Sequence, residues 1–169
     1  MRATAILLGL LLAGPSLPAE TFMLLVESSL DGEAGPVPEA GLEGLMSAMF
    51  ERGHVTFDTG PYRPEADWTR LQFREPLEIA REGAAHYLAA VRLEALSLPA
   101  AAGQPPPFTV RVRFFLWDPR GGALLDQGEL ELDNRGRELE QPYEALLYRA
   151  GELAAGELEG IAARSRPRG

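Results

Sequence analysis

The chain has 169 residues, with 16 cations against 25 acids and no cysteine, for a formal net charge of −9. The acidic balance excludes the basic footprint that nucleic acid requires, and it excludes general adsorption to anionic lipid. Without thiols there is no disulfide staple and no thiolate chemistry, so the apolar core alone must hold the fold. Every cation is arginine, which we read as codon bias rather than function.

The amino-terminal end reads as a secretory signal peptide over residues 1–19. Arg2 supplies the positive start, Ala5 to Ala13 the uncharged run, and Leu17-Pro18-Ala19 the small-residue exit. The run is too short for a hydrocarbon core, which needs about 20 residues. The rival reading is an uncleaved anchor; Leu17-x-Ala19 and Pro18 favour cleavage between Ala19 and Glu20. A lipoprotein would need a cysteine at the cut, so lipid anchoring by that route is excluded. Cleavage would leave about 150 residues, enough for one core. The expected layout is a single α/β domain over 20–163 and a flexible basic tail over 164–169.

Thr21 to Val26 is a short apolar run and reads as a buried strand. Ser28 to Pro38 is rich in Gly, Pro and acids and reads as a loop. Leu42, Leu45, Met46, Met49 and Phe50 recur on one helical stripe, with Pro38 at its first turn and Gly53 at its end. His54 to Asp58 alternates as a strand with Val55 and Phe57 on the core face. Thr59 to Phe73 is irregular. Residues 76–85 read as a second helix opening at Pro76, and Tyr87 to Leu96 as a third strand whose Arg92 and Glu94 share a face. Pro99 to Pro107 is a linker.

The clearest element is an antiparallel hairpin over 108–132, turning at Asp118-Pro119-Arg120-Gly121-Gly122. Parity sets Trp117 opposite Leu125, Arg113 opposite Glu129 and Arg111 opposite Glu131. Val112 then meets Leu130, and Val110 meets Leu132, on the core face. A one-residue slip would oppose arginine to leucine. Residues 142–163 form the closing helix, with Pro142 in its first turn. Its stripe comprises Tyr143, Leu146, Leu147, Ala150, Leu153, Ala154, Leu158 and Ile161. Gly151, Gly156 and Gly160 suggest close packing against a sheet. The fold expected is α/β (α+β). A mixed sheet of about five strands carries three helices in the order β-α-β-α-β-β-α, the hairpin counted as one unit.

No catalytic, cofactor or metal motif stands out. His54 and His86 match no metal spacing and read as surface or half-buried residues. No serine sits in a G-x-S-x-G elbow. Glu27, Ser28, Asp58 and Trp68 would border a cleft at the end of the first strand, where α/β folds place ligands. A small-molecule binder or weak hydrolase would use that cleft. Abundant acids make Glu27 and Asp58 more readily a solvated pair than an acid–base pair. On the outer hairpin face Phe115 and Trp117 join Arg111 and Arg113, the usual material of interface hot spots. The competing reading is that a helix covers this face and makes both aromatics core.

The chain also resembles small periplasmic α/β domains. These are the curli secretion lipoprotein, the penicillin-binding-protein activator lipoproteins and the amino-terminal domain of TolB. Gly83-Ala84-Ala85-His86-Tyr87 before the third strand and Asp118-Pro119-Arg120-Gly121 at the hairpin carry the resemblance. It implies a non-enzymatic envelope role in binding or assembling proteins, with an envelope protein as partner. Those families are often lipidated, whereas this chain lacks the cysteine. An oligomer pairing sheet edges is the third reading.

Overall fold

A computed structural model of the chain describes residues 19–31, 33–34, 39–58, 73–99, 108–133 and 143–166. The leader through Pro18, Pro38, the segment with Tyr62 and Trp68, the linker over 100–107 and Pro142 lie outside these residues.

Strand β1 (Thr21–Leu30) begins where the apolar run begins but continues past Val26. Its register with strand β4 (Tyr87–Ser97) holds from Phe22 opposite Tyr87 to Leu30 opposite Ala95. Ladder hydrogen bonds therefore carry Ser28 to Leu30, which composition alone assigns to a loop. The chain turns at Asp31, a non-glycine residue at φ 51°. The backbone N–H and hydroxyl of Ser97 both donate to the Asp31 carboxylate at 2.7 Å. These bonds hold that carboxyl below its ordinary range. A two-residue strand β2 (Glu33–Ala34) then pairs back antiparallel onto β1.

Helix α1 (Glu39–Glu51) leads to strand β3 (Val55–Asp58), parallel to β1. Helix α2 (Arg74–Glu82) leads to β4, on the other side of β1 and parallel to it. The first crossover steps from β1 out to β3, and the second steps back from β3 past β1 to β4, so the two run in opposite directions across the sheet. Right-handed crossovers then place their helices on opposite sheet faces, which is what is seen. Strand β5 (Phe108–Asp118), strand β6 (Ala123–Asp133) and helix α3 (Tyr143–Ser165) complete the chain. The mixed sheet runs β2-β1-β4-β5-β6, with β3 also on β1. Five principal strands and three helices agree with the expected α+β architecture; β2 is an addition.

The larger core lies between the sheet and the pair α1 and α3. Phe22, Leu24 and Val26 meet Val110, Val112 and Leu147 there. The smaller core lies under α2, where Met23, Leu25, Leu88 and Trp117 meet Phe73 and Ala80. Phe22 to Val26 of β1 and Leu88 to Val91 of β4 are apolar on both faces because both faces are covered there.

Three details differ from the sequence reading. The centre of α1 that faces α3 is Gly41, Gly44 and Ala48 as well as Leu45 and Met49, whereas Phe50 is 55% exposed. Small residues bring the two helix backbones together, so Gly151 packs on a helix, not on a sheet. In β3 it is Thr56 that is buried and Val55 that is exposed, and His54 is 2% exposed. Thr56 lies level with Phe22, and so shares its covered face. Finally, α3 runs to Ser165, and Arg166 is held by Glu20, so the folded chain extends past residue 163.

Candidate interaction surface

The hairpin register is the one parity requires from Thr109 opposite Asp133 to Leu116 opposite Asp126. Arg113 faces Glu129 and Arg111 faces Glu131. A bulge between Leu116 and Trp117 then shifts the pairing, so Trp117 faces Leu124 rather than Leu125. The extra residue on β6 absorbs the fit to the turn and adds local twist.

The register lines charged side chains across four strands. One row is Glu27, Arg92, Arg113 and Glu129; the next is Ser29, Glu94, Arg111 and Glu131. The Arg92 Nε stands 3.3 Å from both Glu27 Oε2 and Glu94 Oε1. Arg113 Nη2 donates to Glu94 Oε1, and Arg111 Nε lies 3.3 Å from Glu129 Oε1. Glu94 thus joins two guanidinium groups from two strands. Exposure rises along the ladder, from 14% at Glu27 to 52% at Glu129 and Glu131. The ladder ends on β6, which has a strand neighbour on one side only among the described residues.

The four residues read as one outer face separate into two halves. Arg111 and Arg113 remain about 40% exposed beside their carboxylates. Trp117 is 4% exposed and Phe115 is half-buried. Phe73 packs on both, with ring centroids at 5.3 Å from Trp117 and 6.3 Å from Phe115. Leu77 and Ala80 of α2 join the same cluster. A helix therefore covers the aromatic half, and only the charged half stays open.

The residues set beside the first strand do not share one wall. Ser28 is buried on the face that carries α1 and α3, while Glu27 points the opposite way into the ion ladder. Asp58 lies at the end of β3, level with Leu24, and is exposed. Trp68 lies outside the described residues. Among the described residues no group of three or more His, Cys, Asp or Glu side chains is placed to hold a metal ion.

A second polar cluster escapes the sequence reading because it joins the two ends of the domain. Glu20 is 7% exposed. Its carboxylate accepts from Arg166 Nε at 2.9 Å and from the Tyr87 hydroxyl at 3.3 Å. Burial, with the Glu20 charge beside it, lifts the Tyr87 phenol above its ordinary range. The hydrogen bond to Glu20 holds Arg166 above its own. The ring Nδ1 of His54 accepts from Glu20 N–H at 3.4 Å, and that of His86 from Thr21 N–H at 3.0 Å. Both histidines thus pin the start of β1. Arg166 and Glu20 are 146 residues apart, and no local pattern announces such a pair.

No protein-family model and no curated protein matches the chain. Solved structures do. A PelC dodecamer from Paraburkholderia phytofirmans matches with a TM-score of 0.55 at 18% identity, over 88% of this chain and 91% of that one. A hypothetical protein, CT253 from Chlamydia trachomatis, matches with a TM-score of 0.51 at 15% identity, over 85% of this chain and 99% of that one. The matches also include the LpoB C-terminal domain from Salmonella enterica, with a TM-score of 0.45 at 15% identity over 68% and 82% of the two chains. The chain is thus similar in its α+β fold to the PelC and CT253 structures.

Proposed function

We propose that this chain is an exported, non-catalytic protein-interaction or assembly module of the bacterial cell envelope, with another envelope protein as its partner. The observation that carries the reading is the open charged half of the hairpin face. Arg111, Arg113, Glu129 and Glu131 present both signs of charge on a rigid sheet, and their row ends at the β6 edge. Charged groups held in fixed positions confer partner choice and orientation more than raw affinity. The fold supports the same reading, since PelC, which shares it, is a dodecamer. Export rests on the leader; among the described residues no helix is long and apolar enough to cross a membrane.

Two measurements test this. A photo-crosslinking residue at Glu129, in the native envelope, should yield one discrete adduct, lost when Arg111 and Arg113 are both reversed to Glu. The same residue at Glu157, exposed on α3, should not. Adducts that ignore position would refute the interaction face. Amino-terminal sequencing of the exported protein should begin at Glu20.

A further inference from the structure

Almost all of the described arginines are engaged. Each stands within salt-bridge distance of a carboxylate except Arg81 and Arg120. In a chain with 25 acids and 16 cations, carboxylates are abundant, so two such guanidinium groups in one place call for a reason. Arg81 and Arg120 line the same concavity, of about 430 Å³, between α2 and the β5–β6 turn. That volume falls within the range typical of small-ligand sites.

The walls define what would fit. Arg74 is the third guanidinium, and its partner Glu78 lies at 3.5 Å with both side chains largely exposed. Such a pair is worth little and yields readily to a stronger anion. Among the described residues, three guanidinium groups then stand against Glu78 in the wall and Asp118 at the turn, which leaves a local surplus of positive charge. Leu77 and Pro119 supply an apolar part of the wall.

The turn is held firmly. Asp118 Oδ1 accepts from Arg120 N–H at 2.9 Å, which ties the start of the turn to its second residue. Gly122 adopts φ 62°, which a side chain rarely tolerates. Arg120 is thereby presented from a rigid turn and Arg81 from a helix.

We propose that this concavity binds a small phosphate monoester, the phosphate held by Arg81 and Arg120 with Arg74 and its organic body resting on Leu77 and Pro119. Guanidinium forks match phosphate oxygens bidentately, and the local surplus of positive charge favours an anion. The inference stands apart from the interaction face, because none of these residues belongs to the ion ladder.

The test is titration of the full-length exported protein with phenyl phosphate at pH 7.5 and low salt, followed by calorimetry and backbone amide NMR. One molecule should bind per chain and shift the Leu77, Gly121 and Gly122 amides. Inorganic phosphate should bind more weakly and phenol not at all. Arg81→Gln and Arg120→Gln should each weaken binding at least tenfold, while the melting temperature of the free protein stays unchanged. Arg149→Gln, elsewhere on the surface, should bind like the parent. Equal weakening by Arg149→Gln would reduce the effect to general charge, and tight binding by both pocket variants would remove these residues from the site. Binding to phosphatidylglycerol vesicles with none to phenyl phosphate would replace the soluble ligand by a membrane surface and overturn the proposal.

Discussion

Gly151 of α3 lies against Gly41 of α1 so closely that a Cβ added to Gly151 would stand 2.2 Å from the Gly41 carbonyl oxygen. The contact is with backbone, which has nowhere to move. A Cβ added to Gly156, further along the same helix, would meet only the end of the Arg52 side chain at 3.8 Å. Gly151→Ala should therefore destabilise by about 2 kcal/mol or more through overpacking, although alanine is the better helix former. Gly156→Ala should stabilise by up to about 1 kcal/mol. Urea unfolding of the pair checks this; effects of the same sign would defeat the packing account.

Glu94 receives both Arg92 and Arg113 and is only 17% exposed. Glu94→Gln should cost about 1.5 to 3 kcal/mol, the range for hydrogen bonds to charged groups. Glu129→Gln, at the exposed end of the same ladder, should cost less than about 1 kcal/mol. Chemical denaturation at low and high salt would separate them, since salt screens the exposed pair more.

The Asp31 carboxyl is held below its ordinary range by the Ser97 backbone N–H and hydroxyl. A depressed carboxyl contributes stability that is present above its unfolded pKa and is lost as pH falls through the folded one. Asp31→Asn should thus remove part of the acid dependence of unfolding and leave the alkaline side unchanged. Asparagine also tolerates the positive φ, so the backbone change is small. A melting curve against pH that kept its full acid slope in Asp31→Asn would show that another carboxylate carries it.

Arg166 clamps Glu20 from 146 residues away. Arg166→Ala should cost about 1 to 2 kcal/mol and speed hydrogen exchange at the Thr21 and His86 amides. A tail that behaved as free chain would leave both amides untouched.

Some of the architecture is legible in the chain because it is encoded locally. The alternation of Arg111, Arg113, Glu129 and Glu131 with Val110, Val112, Leu130 and Leu132 admits one register over most of the hairpin. A slip would put arginine against leucine. The bulge beside Trp117 is not legible, because Leu124 and Leu125 are equally apolar and only the turn geometry selects between them. The candidate face is legible as a face but not as two halves. Parity says which side chains share a side of a sheet, and nothing local says how far α2 and Phe73 reach across it.

The sequence by itself determined the acidic, cysteine-free composition, the number and order of the main elements, and the pairing of charges on the hairpin, since these follow from composition and from periods of 2 and 3.6 residues. Only the tertiary structure decided that Ser28 is buried while Glu27 enters an ion ladder, that Gly151 meets a helix, and that Arg81 and Arg120 share one concavity. Each of these depends on elements far apart in the chain meeting in space, where side-chain volume and charge are matched across a contact rather than along the backbone.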